Sequence, residues 1–278
     1  MPNGEPPDWA AEWGEDDYGP WASLAVPTDH PYRLVVQKMR WIPPGGFWMG
    51  SPDDEEGRFE SEGPRHWVTV TSGYWLGATP VTQALWTTVT GSNPSEYQKG
   101  DPELVAQRPV EQVSFDDVQH FLTMLNGERT ERAWRLPTET EWEYACRAGS
   151  GGELPLVRRL DGHWEPAESR EAVAWFRTNA KDMTHPVSQL QANALGLFDT
   201  LGNVWEWCDS LLISYQPNAR NYDPSSAKLT PAAERADRVM RGGSWSSDAR
   251  NVRAACRYAL PPGGAWFSCG FRLARGQG

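Results

Sequence analysis

Cysteine, lysine and long apolar runs are scarce in this chain, and each scarcity removes a class of protein. The four cysteines, Cys146, Cys208, Cys256 and Cys269, include no CxxC pair, which excludes zinc ribbons and thioredoxin-type redox motifs. Free thiols in a reducing compartment are one reading; a Cys256–Cys269 disulfide is the other. No apolar run reaches the length of a membrane span. The first residues, MPNGEPPDWAAEWGEDDYGP, lack the basic start and apolar middle of a secretory signal, so a cytoplasmic location is expected. Lysine occurs four times against 22 arginines, and the net charge is −11. Binding along a phosphate backbone needs a basic excess, so nucleic acid is not an expected partner. His30, His66, His120, His163 and His185 show no metal-binding spacing, and His120 reads as a surface residue of a helix. GxSxG, P-loop and GxGxxG motifs are absent.

What is abundant is tryptophan, with 16 residues, together with proline and glycine, at 23 and 26. Tryptophan buries much area and wants a partner for its N–H, so it suits junctions between loops and core. Residues 1–31 read as an acidic arm that Trp9, Trp13 and Trp21 could pin to a domain spanning 32–278. YRLVVQKMRWIPPGGFWMGS reads as two strands around a Pro-Pro-Gly-Gly turn, and WVTVT as a further strand. Three helices are marked. Thr79 and Pro80 suit the start of one that stops at Gly91. Ser114 caps a second, with Phe115, Val118, Phe121, Leu122 and Leu125 on one face and Gly127 at its end. Thr138 and Glu141 form a capping box for the third, with Trp142, Ala145 and Cys146 on one face. After Gly149 the periodicity fades into short strands and long loops. The class is α+β, with few short helices and a small antiparallel sheet.

GLFDTLGNVWEWCDS is the densest motif. Its glycine turn and Glu206 could offer oxygens to a hard cation such as calcium; packing of Trp205 and Trp207 around a structural turn is the alternative. RGGS, at Arg241 to Ser244, reads as a tight packing point of the backbone.

These blocks carry a resemblance. GLFDTLGNVWEW, RLPTETEWEYACR, RGGSW and the terminal GFRLA, with IPPGGFWMGS, PRHWVTVTSGYWLGATPVTQALW and RPVEQVSFDDVQHFL before them, are similar to the formylglycine-generating-enzyme, or sulfatase-modifying-factor, domain in that family's order. The resemblance covers about residues 32 to 275. It implies a C-type-lectin-like fold of the formylglycine-generating-enzyme type. It implies a structural calcium held by the carbonyls of Leu201, Gly202 and Val204 and the carboxylate of Glu206. Catalytic members bind copper through two cysteines, but the matching positions here are Ser247 and Val252, which cannot hold Cu(I) as thiolates do. The branch of iron-dependent sulfoxide synthases adds a helical domain with a histidine cluster, which this chain lacks.

A third branch, the variable proteins of diversity-generating retroelements, fits better. There the segment from RGGSW to GFRLA is rewritten at adenines copied from a template. This chain keeps RAACR at Arg253 to Arg257, Pro262 and GFRLA at matching spacing, so 241–275 is the expected variable region. Asparagine codons randomised at both adenines cannot yield Lys, Glu, Gln, Met or Trp. Residues 246–269 contain none of the first four, and Trp266 is the exception. The expectation is a non-catalytic protein that binds a ligand, itself expected to be a protein. Its face would comprise Ser246, Ser247, Asp248, Arg250, Asn251, Cys256, Tyr258, Ala259, Leu260, Gly264, Trp266, Phe267 and Ser268, with the aromatics as anchors. The alternative is a formylglycine-generating oxidase or a degenerate relative of it.

Overall fold

The computed structural model describes residues 4–28, 33–128, 133–159, 161–215 and 235–276. His30 and the boundary expected between residues 31 and 32 lie outside them. The larger sheet begins with a hairpin, β1 (Glu12–Asp16) and β2 (Gly19–Pro27), from the stretch expected to be an arm. β2 pairs antiparallel with β3 (Leu34–Ile42), so the hairpin is built into the sheet. Trp9 does the pinning: its ring meets Trp75 and Trp134 edge-on, at 5.6 and 5.0 Å. Trp13 is exposed.

After β3 the chain makes β4 (Gly45–Met49), but the two strands around the proline turn do not pair with each other. β4 pairs with β5 (His66–Val70), while β3 takes β6 (Tyr74–Gly77) as its second neighbour. Four helices follow: α1 (Gln83–Thr90), α2 (Pro102–Ala106), α3 (Phe115–Asn126) and α4 (Glu139–Arg147). α4 carries the expected capping box of Thr138 with Glu141, and at α3 the expected cap Ser114 forms a capping box with Asp117 as well. α1 starts later than expected. Its cap is Thr82, whose side chain accepts from the Leu85 N–H, because the Val81 N–H is taken by the Phe271 carbonyl at 2.8 Å and Thr79 is engaged by Gln37.

The rest is short strands in long loops. β7 (Leu156–Arg158) pairs with β8 (Trp164–Pro166), and β9 (Ala174–Trp175) runs parallel to β10 (Leu201–Gly202). The second main sheet has the order β13-β12-β11-β14, from β11 (Trp205–Leu211), β12 (Arg238–Arg241), β13 (Arg257–Leu260) and β14 (Cys269–Gly270). The last strand, β15 (Ala274–Gly276), crosses to the first sheet beside β6, so the C-terminal stretch joins both sheets. The largest core cluster lies between them and α1 and α3, and includes Trp75, Trp86, Phe121, Trp207 and Phe271. Among the described residues, no helix is long and apolar enough to cross a membrane.

Candidate ligand-binding face

The stretch from Arg241 to Arg275 divides into a buried frame and an exposed face. The frame starts at the turn after β12. Gly242 and Gly243 have φ of +96° and +78°, and a Cβ on Gly242 would come within 2.7 Å of the Thr200 carbonyl. Only glycine meets both demands. Ser247 then folds back, its Oγ accepting from the Ser244 N–H at 2.9 Å. Val252 to Cys256 form an unbroken buried run.

Arginines tie this frame to the body. Arg253 grips Glu62 through Nη1 and Nη2, at 2.9 and 2.6 Å. Arg257 makes a fork with Glu139, at 2.6 and 2.9 Å, and Arg272 one with Glu206, at 2.6 Å for both bonds. Arg241 pairs with Glu143 and also donates to the Cys256 carbonyl. All four guanidinium groups are buried. Such pairs recover little net stability against desolvation, but removing one partner strands a buried charge at a cost of about 3–5 kcal/mol. The acids at Glu143 and the bases at Arg241, Arg253 and Arg257 respond as paired charges should: Glu143 is lowered and the arginines raised, with burial opposing in each case.

Side chains on the other side of the stretch reach solvent. Tyr258, Trp266 and Phe267 are 39%, 44% and 50% exposed. They take part in two runs of rings: Trp205–Tyr258 at 5.5 Å with Tyr258–Trp266 at 5.8 Å, and Tyr97–Trp245 at 5.4 Å with Trp245–Phe267 at 5.6 Å. Asp248 and Arg250 are exposed as well, Asp248 paired with Arg177 at 2.6 Å and Arg250 over the Phe59 ring. Ser246, Asn251, Ala259, Leu260 and Gly264 are half-buried, and Leu260 also packs against the main core.

Three expected face residues are corrected. Ser247, Cys256 and Ser268 are buried. Ser247 closes the turn at Ser244, Cys256 lies in the core beneath β13, and Ser268 gives its carbonyl to the Trp205 N–H at 2.7 Å. The disulfide reading is also corrected, since Cys256 and Cys269 are both free. Burial pushes the thiols of Cys146, Cys256 and Cys269 up to about 12, and that of Cys208 well above its usual value. Thiolate, the form that binds copper or attacks substrate, is therefore scarce at every cysteine. At the two positions where the resemblance implies copper ligands, the side chains are the hydrogen-bonded Ser247 hydroxyl and the buried Val252 isopropyl group.

Of the groups expected to hold calcium, the one carboxylate is engaged by the protein itself. Leu201, Gly202 and Val204 do form a turn with Glu206 beyond it, and Gly202 has φ of +73°. The Glu206 carboxylate, however, is fully buried and carries the Arg272 fork, with the Trp142 indole N–H donating to Oε2 at 2.7 Å. A guanidinium already supplies the positive charge that a calcium ion would bring. Among the described residues there is no group of three or more His, Cys, Asp or Glu that could hold a metal.

A family model for the sulfatase-modifying factor enzyme 1-like domain matches residues 25–277. The chain belongs to that family. Mouse formylglycine-generating enzyme is 27% identical, the match covering 89% of this chain and 77% of that protein. A bovine relative named inactive C-alpha-formylglycine-generating enzyme 2 is 31% identical over 74% of this chain and 60% of its own length. Among solved structures, Treponema denticola variable protein 1 superposes with a TM-score of 0.74 at 25% identity, covering 92% of this chain and 99% of that one. The fold of this family member is accordingly the loop-rich, C-type-lectin-like α+β fold of formylglycine-generating enzymes and variable proteins. The family thus includes an enzyme and an inactive relative, so membership alone does not assign chemistry.

What sequence reasoning missed is the part of the site outside the C-terminal stretch. Tyr97, Arg177 and Trp205 border the face from three separate segments. Arg177 holds the turn after Trp245 through the Ser246 carbonyl at 3.2 Å as well as through Asp248. Only pairing between segments far apart in the chain brings these groups together, and no local pattern announces it.

Proposed function

We propose that this protein is a non-catalytic binding protein, a variable protein of the diversity-generating retroelement type, whose exposed face from Ser246 to Phe267 is rewritten while its frame is kept. One observation carries this reading. Between Arg241 and Arg275, only Asp248, Asn251 and Tyr258 belong to amino acids whose every codon contains adenine, and none of the three is buried. Every buried residue in that stretch can be spelled without adenine, whereas the body buries Met39, Ile42, His66, Gln83, Glu139, Thr140 and Asn193, which cannot. A frame that must survive rewriting at adenines has this composition. Exposed aromatic rings and exposed charged residues in one stretch have the chemistry of a protein-binding surface, where rigid rings carry much of the energy.

Sequencing the locus tests it. The expected result is a near-copy of the 3′ end of the gene, differing at adenines in the codons of exposed residues. The codons of Arg241, Arg253, Arg257 and Arg272 are expected to be CGN in both copies. Differences spread over all four bases, or falling on the buried frame, would overturn the proposal. Catalytic conversion of a sulfatase cysteine peptide to formylglycine, with copper, reductant and oxygen supplied, would overturn the non-catalytic part by itself.

A further inference from the structure

Two polar side chains beside the aromatic face, one buried and one half-buried, take no part in the arginine frame. Glu111 is fully buried; its Oε1 accepts from the Tyr97 N–H at 3.1 Å, and its Oε2 has no partner. Arg108, three residues earlier, has no oxygen on its guanidinium: Nη2 meets only Met183 Sδ, at 3.7 Å, while Nε and Nη1 are buried without partners. The two charges feel each other but do not close into an ion pair. Thr184, next to Met183, is also fully buried with its Oγ1 unpartnered. An unmade hydrogen bond at such a group costs about 1–3 kcal/mol, so the cluster stands out beside Arg241, Arg253, Arg257 and Arg272, each of which is gripped by an acid. The position is adjacent to the face: Tyr97 packs on Trp245, and the Gln112 N–H donates to the Trp266 carbonyl at 3.0 Å.

We propose that Arg108 and Glu111 form a constant subsite for a primary amide, the side chain of an asparagine or glutamine on a protein ligand. The amide carbonyl accepts from Arg108 and the NH2 donates to Glu111, so one neutral group satisfies a donor-only and an acceptor-only partner that stand too far apart to pair directly. An anion fits less well. Tyr97 feels the negative charge of Glu111, Glu96 and Asp182 against the positive charge of Arg108, so the surroundings are rich in negative charge. Burial raises the Glu111 carboxyl to about 7, as befits an acid without a cationic partner in contact. The exposed side chain of Met183 and the half-buried ring of Tyr97 lie at the rim, where the methylenes of such a side chain would rest. No residue of the subsite lies within 241–275, so it stands or falls separately from the rewriting of the tail.

The test uses the full chain with propionamide and propanoate as probes, following the Arg108 Nε–H signal by NMR at pH 7.5, assigned by its loss in Arg108→Lys. The expected result is a saturable shift with propionamide and binding of propanoate at least about tenfold weaker. Glu111→Gln keeps an oxygen for the Tyr97 N–H and turns the free end into a donor, so it is expected to reverse that order. Propanoate binding as tightly as propionamide overturns the proposal. So does the absence of a saturable response to propionamide, which would mean that solvent alone bridges the two groups. The wild-type comparison decides the matter even if Glu111→Gln does not fold.

Discussion

The C-terminal stretch and the body that carries it divide their buried charges unequally. Between Arg241 and Arg275 every buried charged residue is an arginine; the body buries Glu62, Glu139, Glu143 and Glu206 to receive four of them. The body also closes a pair of its own, Glu143 with Arg147, so it is not merely an acceptor. The division teaches where the geometry of the tail is stored. Its own sequence supplies one kind of charged end, and the direction each end must take is set by carboxylates fixed on α4, on β11 and in the loop before β5. Exposed residues between these ends can then change without altering the path of the backbone.

Breaking one such pair should give the largest effect. Arg272→Leu strands Glu206 in the core and should cost about 3–5 kcal/mol, measured by urea unfolding, while the double variant with Glu206→Leu should recover a good part of that loss. If Arg272→Leu alone were neutral, the arginines would be ornaments on a tail held by apolar packing. Phe271→Ala and Trp245→Ala probe that packing. Both rings are buried and should cost about 3–5 kcal/mol.

Much of this frame is legible in the chain because it is written in local chemistry. Gly242, Gly243 and the capping boxes at Ser114 and Thr138 act within a few residues, and each stands where its pattern places it. Where two local solutions compete, the distant partner chooses: Thr79 and Thr82 both suit a helix cap, and the Phe271 carbonyl on Val81 decides for Thr82. Burial along the tail is of the same kind. Cys256 and Tyr258 are both compatible with a rewritten codon, and only the core beneath β13 makes one a frame residue and the other a face residue. Arg108 and Glu111 left no signal although they stand three residues apart, because nothing local says that their charged ends go unpaired inside the fold.

The next effect, smaller and dependent on pH, contrasts an unpaired buried acid with the paired ones. Burial raises Glu111 to about 7, above its unfolded value near 4.5, so folding favours its protonated form. That contribution is fully present below the unfolded value and is lost as pH rises through about 7, an amount of up to roughly 3 kcal/mol. Asp199, raised to about 6 by burial, acts in the same direction over a lower window. Unfolding at pH 5 and pH 8 should show Glu111→Gln gaining about 1–3 kcal/mol on the wild type at the higher pH. A parallel pH dependence of the two proteins would mean that Glu111 finds a partner in solution.

Substitutions on the face should be smaller still. Tyr258→Ser and Phe267→Asn remove half-exposed rings and should each move stability by less than about 0.5 kcal/mol, yet change what the protein binds. Leu260→Asp marks the edge of the face. Because Leu260 also packs against the core, it should cost about 1 kcal/mol or more. Equal costs at Tyr258 and Phe271 would erase the distinction between face and frame.

The smallest expected effect is none at all, and it concerns the acid at the centre of the arrangement. A ligand that binds only the native state stabilises by mass action, so a structural calcium would make melting depend on chelation. Glu206 is the one carboxylate of the expected calcium turn, and Arg272 and Trp142 hold both of its oxygens. Bringing a calcium ion to it would set a second cation beside a buried guanidinium, where repulsion is weakly screened. EDTA should therefore leave the melting temperature of the wild type unchanged, and added calcium should do nothing to Glu206→Gln, which should melt lower through loss of its Arg272 fork. A rise of several degrees on adding calcium to the wild type, absent in Glu206→Gln, would show that the acid serves the metal and that the tail is held by something other than its arginines.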